Sequence, residues 1–121
     1  MVVAQQSDLP IVAMASRALY GELLASGVRL FEYTPSMLHC KAAVIDDVWS
    51  VVASYNLDHR SLMHNLEAGV LLLDRNFALR LRHQIVTDIE DCREVTLQAH
   101  KSRPWNDALL ESLAYQARYW L

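Results

Sequence analysis

The sequence predicts an α/β fold in which a mixed β-sheet is flanked by helices. Three observations predict it. Apolar runs of strand length alternate with stretches of helical periodicity along the chain, Pro, Gly or Asp punctuates several of the junctions, and the run Ala68-Gly-Val-Leu-Leu-Leu73 is almost unbroken in its apolar character.

Taken in order, Val2 to Ala4 reads as the end of a strand with nothing ahead of it, so the chain is expected to begin part-way into a domain. Ser7 or Asp8 can cap a helix that has Pro10 in its first turn, uses Val12, Ala15, Leu19, Leu23 and Leu24, and ends near Gly27. Val28, Leu30 and Phe31 give a short strand, Pro35 interrupts it, and Leu38 to Ile45 reads as the next. Asp46 and Asp47 make a turn and Val48 to Ala53 returns from it. Residues 56–65 are too polar for core and read as a loop, whereas Glu67 to Leu73 is expected to be a strand buried on both faces. Asp74 caps a helix built on Phe77, Leu79, Leu81, Ile85, Val86 and Ile89 that ends near Cys92, and Arg93 to Leu97 reads as a further short strand. Pro104 opens a last helix, with Trp105, Leu109, Leu113, Ala117 and Trp120 on one stripe. That stripe suits either a membrane interface or docking against the domain.

A chain of 121 residues with 53% hydrophobic content is enough for one compact core and no more. Lys and Arg total 11 against 14 Asp and Glu, a net charge of -3 that gives no global attraction to polyanions. Arg80, Arg82 and Arg93 are too dispersed for a basic stripe, so nucleic acid is not an expected partner. Cys40 and Cys92 match no metal-ligand spacing, and Cys40, alternating away from its neighbours on a strand, is expected to be a small core residue. No signal peptide and no run of roughly 18 apolar residues is visible.

The chemistry concentrates in His39-Cys-Lys41-Ala-Ala-Val-Ile-Asp46, followed by Ala53-Ser54-Tyr55-Asn56 and Asn65-Leu66-Glu67. Residues two apart on a strand share a face, so His39 and Lys41 are expected to emerge together. An imidazole there can attack phosphorus or protonate a leaving alkoxide, while the ammonium neutralises the phosphoryl oxygens. A carboxylate on the other ring nitrogen would fix the tautomer, and Asp46 or Glu67 can supply it. Ser54 and Asn56 offer a hydroxyl and an amide to phosphate oxygens. Arg60 and Ser61 suit either a phosphate grip or loop bracing, His59 and His64 either border the site or are solvated, and His83 and His100 read as surface residues.

H-x-K-x4-D-x6-G-S-x-N is the signature of the phospholipase D superfamily, and this chain resembles it at every fixed position but one, where Ala53 replaces glycine. A methyl there is expected to crowd a bound phosphate or to resist a positive φ. Ser7-Asp8-Leu-Pro10, Ala15-Ser-Arg-Ala-Leu-Tyr20, Gly27-Val-Arg29, Glu32-Tyr33 and Asn56-Leu-Asp-His-Arg-Ser61 resemble the C-terminal part of bacterial cardiolipin synthases. The resemblance implies a phospholipase D-like half-domain truncated at its N-terminus, spanning residues 1–103, with an amphipathic helix over 104–121. It implies a phosphatidyl transfer through a phosphohistidine, needing no metal or cofactor, with His39, Lys41 and Asp46 as the chemical residues, Ser54 and Asn56 on the phosphate, and Glu67 and Arg60 in support. The implied substrate is a phosphatidylglycerol-like lipid at the cytoplasmic face of the bacterial inner membrane. The superfamily's active sites use two such motifs. The second half-site would come from a homodimer, as in a phosphodiesterase or nuclease, or from an upstream half, without which the chain would be a silent fragment. In two-motif chains the nucleophile is commonly assigned to the first motif and the acid to the second.

Overall fold

The computed structural model describes residues 1–54 and 66–117. In chain order the elements are β1 (Val2–Ala4), α1 (Pro10–Arg17), α2 (Tyr20–Ala25), β2 (Leu30–Tyr33), β3 (Ala42–Ile45), β4 (Trp49–Ala53), β5 (Gly69–Leu73), α3 (Arg75–Glu90), β6 (Cys92–Val95), α4 (Leu97–Lys101) and α5 (Trp105–Gln116). They divide into two compact units, Met1–Leu38 with Cys92–Leu121, and His39–Asp91. The α/β class expected from the sequence is present, with the strands shared between two three-stranded sheets, β1-β2-β6 and β3-β4-β5.

In the first unit β2 is central, parallel to β1 and antiparallel to β6. Its Leu30 and Phe31 are buried with Tyr20, Ala15 and Ala114. The two alanines let α1 and α5 pack closely. The single helix expected between Pro10 and Gly27 is instead two. The Ser16 hydroxyl donates to the Val12 carbonyl, a contact that bends helices, and the Leu19 amide bonds back three residues to Ser16. Gly27 ends α2 where expected. At φ 90 it lets the Val28 amide reach the Leu23 carbonyl while its own amide reaches Leu24, closing the last turn.

Glu32 is 2% exposed in this unit and is held by Arg17 at 3.6 Å and by Arg93. The charge is tolerated because it is paired on both carboxylate oxygens. His100, expected at the surface, is buried: Tyr20 lies at 5.9 Å between ring centroids, and a Cβ on Gly21 would meet the imidazole at 3.6 Å. Thr96 caps α4 through the Ala99 amide, a short helix the sequence pattern did not reveal because five residues are too few to show a period. On α5 the residues turned inward are Glu111, bonded by Arg103, and Ala114. Trp105 is 79% exposed, and Leu109 and Leu113 are exposed too, so these three residues of the apolar stripe face outward, while Ala117 is half-buried.

In the second unit β4 is central and antiparallel to both neighbours. Asp74 caps α3 by accepting from the Asn76 and Phe77 amides, and α3 packs across β3 and β4. Arg82 of α3 pairs with Asp47 at 3.0 Å, tying the helix to the β3–β4 turn. One expectation fails clearly here. The apolar run of β5 is not buried on both faces, since Val70, Leu71 and Leu73 are all exposed. The strand is an edge strand, and α3 covers the other two strands of the sheet rather than this one.

Candidate active site

The register brings the chemical residues to one end of the β3-β4-β5 sheet. Ala42 opposes Val52 and Ala53 opposes Gly69, so residues 39–41 before β3, Ser54 after β4 and residues 66–68 before β5 all meet at that end. The extended strand expected from Leu38 begins only at Ala42, but one more ladder bond, from the Ala53 amide to the Lys41 carbonyl at 2.9 Å, fixes the arm.

On that arm His39 and Lys41 do come together. The Lys41 ammonium lies 3.2 Å from Nδ1 of His39 and donates to the His39 carbonyl at 2.9 Å. An ammonium carries three protons and no lone pair, so a hydrogen bond at this contact requires Nδ1 as acceptor, the Nε2–H tautomer of the neutral ring. The group set against Nδ1 is thus a cation. His39 is exposed and Lys41 half-buried. Cys40, expected in the core, is an exposed free thiol, because residues 38–41 lie outside the regular strand and alternation does not turn Cys40 inward.

Asp46 is not brought to His39. It sits past the opposite end of β3, exposed, in the turn with φ 52 beside Asp47 at φ 56. Six residues of mostly extended chain lie between the two, a separation on the order of 20 Å. Within the chain Asp46 shapes a hairpin and does not orient the imidazole.

Ser54 and Glu67 do pair, through a hydrogen bond from the Ser54 hydroxyl to the Glu67 carboxylate. The same hydroxyl oxygen accepts the Ala68 amide at 3.0 Å, and the Ser54 amide donates to the Ala68 carbonyl at 2.8 Å. Its one proton has two acceptors in reach, the Glu67 carboxylate at 2.5 Å and the Ala68 carbonyl at 3.2 Å, and Ser54 clasps β4 to the entry of β5. Asn56 and Arg60, like His59, Ser61 and His64, lie outside the described residues.

Ala53 departs from the signature without backbone strain: the positive φ angles among the described non-glycine residues are those of Asp46 and Asp47. Sequence reasoning missed the residue opposite, Gly69. A Cβ there would stand 3.1 Å from that of Ala53. The one available signal was a glycine inside an otherwise apolar strand. Among the described residues no cluster of three His, Cys, Asp or Glu has metal-binding geometry.

An α/β fold that gathers His-x-Lys, Ser and Glu at one sheet end is that of a phospholipase D-like domain. Residues 1–89 match the family described as cardiolipin synthase, PLD-like domain, and the chain belongs to that family. It is 40% identical over 116 residues to cardiolipin synthase B of Escherichia coli O6:H1, covering 95% of this chain and 28% of that protein. The corresponding protein of E. coli K12 is 39% identical over the same length. Cardiolipin synthase A of Pseudomonas putida is 39% identical over 98 residues, 81% of this chain and 20% of the relative. The chain thus spans little more than a quarter of the cardiolipin synthase B proteins it matches. No solved structure matches it.

Proposed function

We propose that the chain supplies one half-site of a cardiolipin synthase-like phosphatidyltransferase, with His39 as its general acid and Lys41 as its phosphate cation. The observation that carries this reading is the Lys41 contact to Nδ1 of His39. With Nδ1 as acceptor the ring carries its proton on Nε2, which is then a donor and not a nucleophile, and both side chains offer N–H groups to phosphate oxygens. Oxygens of a phosphodiester would draw the ammonium off Nδ1, which then takes up a proton from solvent while Lys41 keeps its own three. The resulting imidazolium gives its Nε2 proton to the leaving alkoxide as the ester P–O bond breaks. It recovers a proton from the hydroxyl of the acceptor lipid in the second transfer.

The nucleophilic histidine, which forms and releases the P–N bond, comes from a second half-site, either an upstream half or a second copy of this chain. Glu67, held by Ser54, supports the imidazolium or the phosphate end of the site. Asn56 and Arg60 are proposed phosphate ligands on the strength of their residue types alone. Asp46 is retained only as the turn residue that sets the β3–β4 register.

The substrate is a phospholipid of phosphatidylglycerol type. Among the described residues no helix is long and apolar enough to cross a membrane, whereas the outward Trp105, Leu109 and Leu113 support a peripheral lipid contact. The test is phosphodiesterase activity on a chromogenic diester, measured across the same fractions as mass by light scattering. Activity that follows the dimer and disappears in His39→Ala supports a self-paired half-site. Activity that survives His39→Ala removes this histidine from the chemistry.

A further inference from the structure

We infer that Gly69 is a positioning residue of this site, and that its missing side chain is what admits Ala53 where the superfamily signature has glycine. The inference rests on reading the His39 and Lys41 arm as a phosphate site.

Ala53 is where the two arms are joined. Its amide donates to the Lys41 carbonyl at 2.9 Å on one side, and the next residue, Ser54, donates its amide to Ala68 at 2.8 Å on the other. Because the 54/68 rung is hydrogen-bonded, Ala53 and Gly69 form the alternate kind of rung, in which opposing side chains come closest. A Cβ on Gly69 would lie 3.1 Å from the Ala53 Cβ, 3.5 Å from the Val52 carbonyl oxygen and 3.6 Å from the Ala53 Cα. Carbon atoms prefer roughly 3.5–4.0 Å, so the first contact is repulsive. None of these atoms is the free end of a flexible side chain. Relief would require β4 and β5 to part at the end where Ser54 clasps Ala68 and Glu67.

The constraint at position 53 is accordingly one of volume and not of φ. One methyl fits across the rung, and a second fits only if the two strands give by a few tenths of an ångström. The register also puts positions 41, 53 and 69 side by side on one face, so the small pair forms a floor beside Lys41. A phosphate held by Lys41 and His39 would lie over that floor, and a second methyl would both raise the floor and spread the arms.

The experiment compares the full chain with Gly69→Ala, Ala53→Gly and the combined swap. Two readouts are taken by NMR, the hydrogen exchange of the Ser54 amide and the titration of the His39 ring with orthophosphate. Gly69→Ala is expected to speed Ser54 exchange and weaken orthophosphate binding by about tenfold each, the scale of one overpacked methyl. Ala53→Gly is expected to be tolerated, and the swap to restore both readouts. A Gly69→Ala protein that matches its parent, or a swap no better than that single variant, overturns the inference. Should Gly69→Ala fail to fold, the swap decides: a folded swap supports the volume rule and an unfolded one overturns it. Absence of orthophosphate binding in the parent, with the exchange pattern of the four proteins intact, would sink the functional reading and leave the packing relation standing.

Discussion

The ammonium of Lys41 stands 3.2 Å from Nδ1 of His39, so the residue that serves phosphate in the proposed reaction also contacts the ring of its neighbour. The two roles compete for the three protons of one ammonium. While Lys41 holds Nδ1 it withholds one of its donors from phosphate, and once it turns to phosphate the ring is free to take a second proton.

Lys41→Met removes the donor without opening much space. The ¹⁵N spectrum of His39 is expected to shift from an Nε2–H tautomer to a mixture of both, and diester turnover to fall on the order of a hundredfold, the usual loss for one preorganised phosphate or oxyanion donor. Lys41→Arg is expected to impair turnover as well, since a planar fork does not replace a point charge near phosphorus. An unchanged tautomer in Lys41→Met would show that something other than this contact fixes the ring.

Asp46 occupies the left-handed region at φ 52, which asparagine and aspartate adopt more readily than other side chains. Asp46→Asn is therefore expected to leave both stability and turnover close to those of the parent, while Asp46→Ala costs about 1–2 kcal/mol in chemical denaturation. A large activity loss in Asp46→Asn with an intact fold would restore the aspartate to the mechanism.

The first unit should show pH dependence at both ends. Burial, helped by the Glu32 carboxylate, pushes the Tyr20 phenol up to about 12. A pKa raised in the folded state means stability that is complete below pH 10 and is lost between 10 and about 12. One of the five tyrosines should therefore ionise late in a spectrophotometric titration, and Tyr20→Phe should remove that step. Burial and then the Arg103 charge lower His100 below its ordinary 6.5, against the opposing pull of Glu111. A lowered histidine disfavours protonation in the fold, so its contribution is present above 6.5 and is lost as pH falls below that value. His100→Gln should flatten this acid limb of the denaturation profile. A limb that persists unchanged would assign it to carboxylates.

Much of this was legible from the sequence because it is written in local chemistry. The Asp74 cap, the Gly27 terminus and the Asp46-Asp47 turn are fixed by residues whose preferences are intrinsic, and each stands where expected. That His39 and Lys41 meet was expected from strand alternation, although the arm that carries them lies before the regular strand and the contact is made by the lysine reaching back to the ring and carbonyl of His39. One miss is local and the others are relations between distant residues. Ser16 bends a helix whose periodicity looked continuous, because hydroxyl back-bonding leaves the apolar pattern intact. His100 is buried through contact with Tyr20 and Gly21, some eighty positions earlier in the chain. The compensation of Ala53 by Gly69 needs the register, which no single segment encodes.

The exposure of β5 has the plainest physical consequence. An edge strand of Gly-Val-Leu-Leu-Leu carries no Lys, Pro or other charge of the kind that blunts pairing with a second chain, and Leu71 and Leu73 are 61% and 63% exposed. Each leucine covered on association contributes about 1–2 kcal/mol, enough for several such contacts to drive self-association at moderate concentration. Light scattering over a dilution series is expected to give a mass that rises with concentration. Leu71→Lys is expected to lower it while circular dichroism stays the same, because the lysine stem keeps its place on the strand and the ammonium opposes an approaching edge. A parent chain that stays monomeric throughout the series would mean that this edge is not available for pairing. A Leu71→Lys protein that associates as strongly as its parent would move the contact to another surface, the outward Trp105, Leu109 and Leu113 of α5 being the next to substitute.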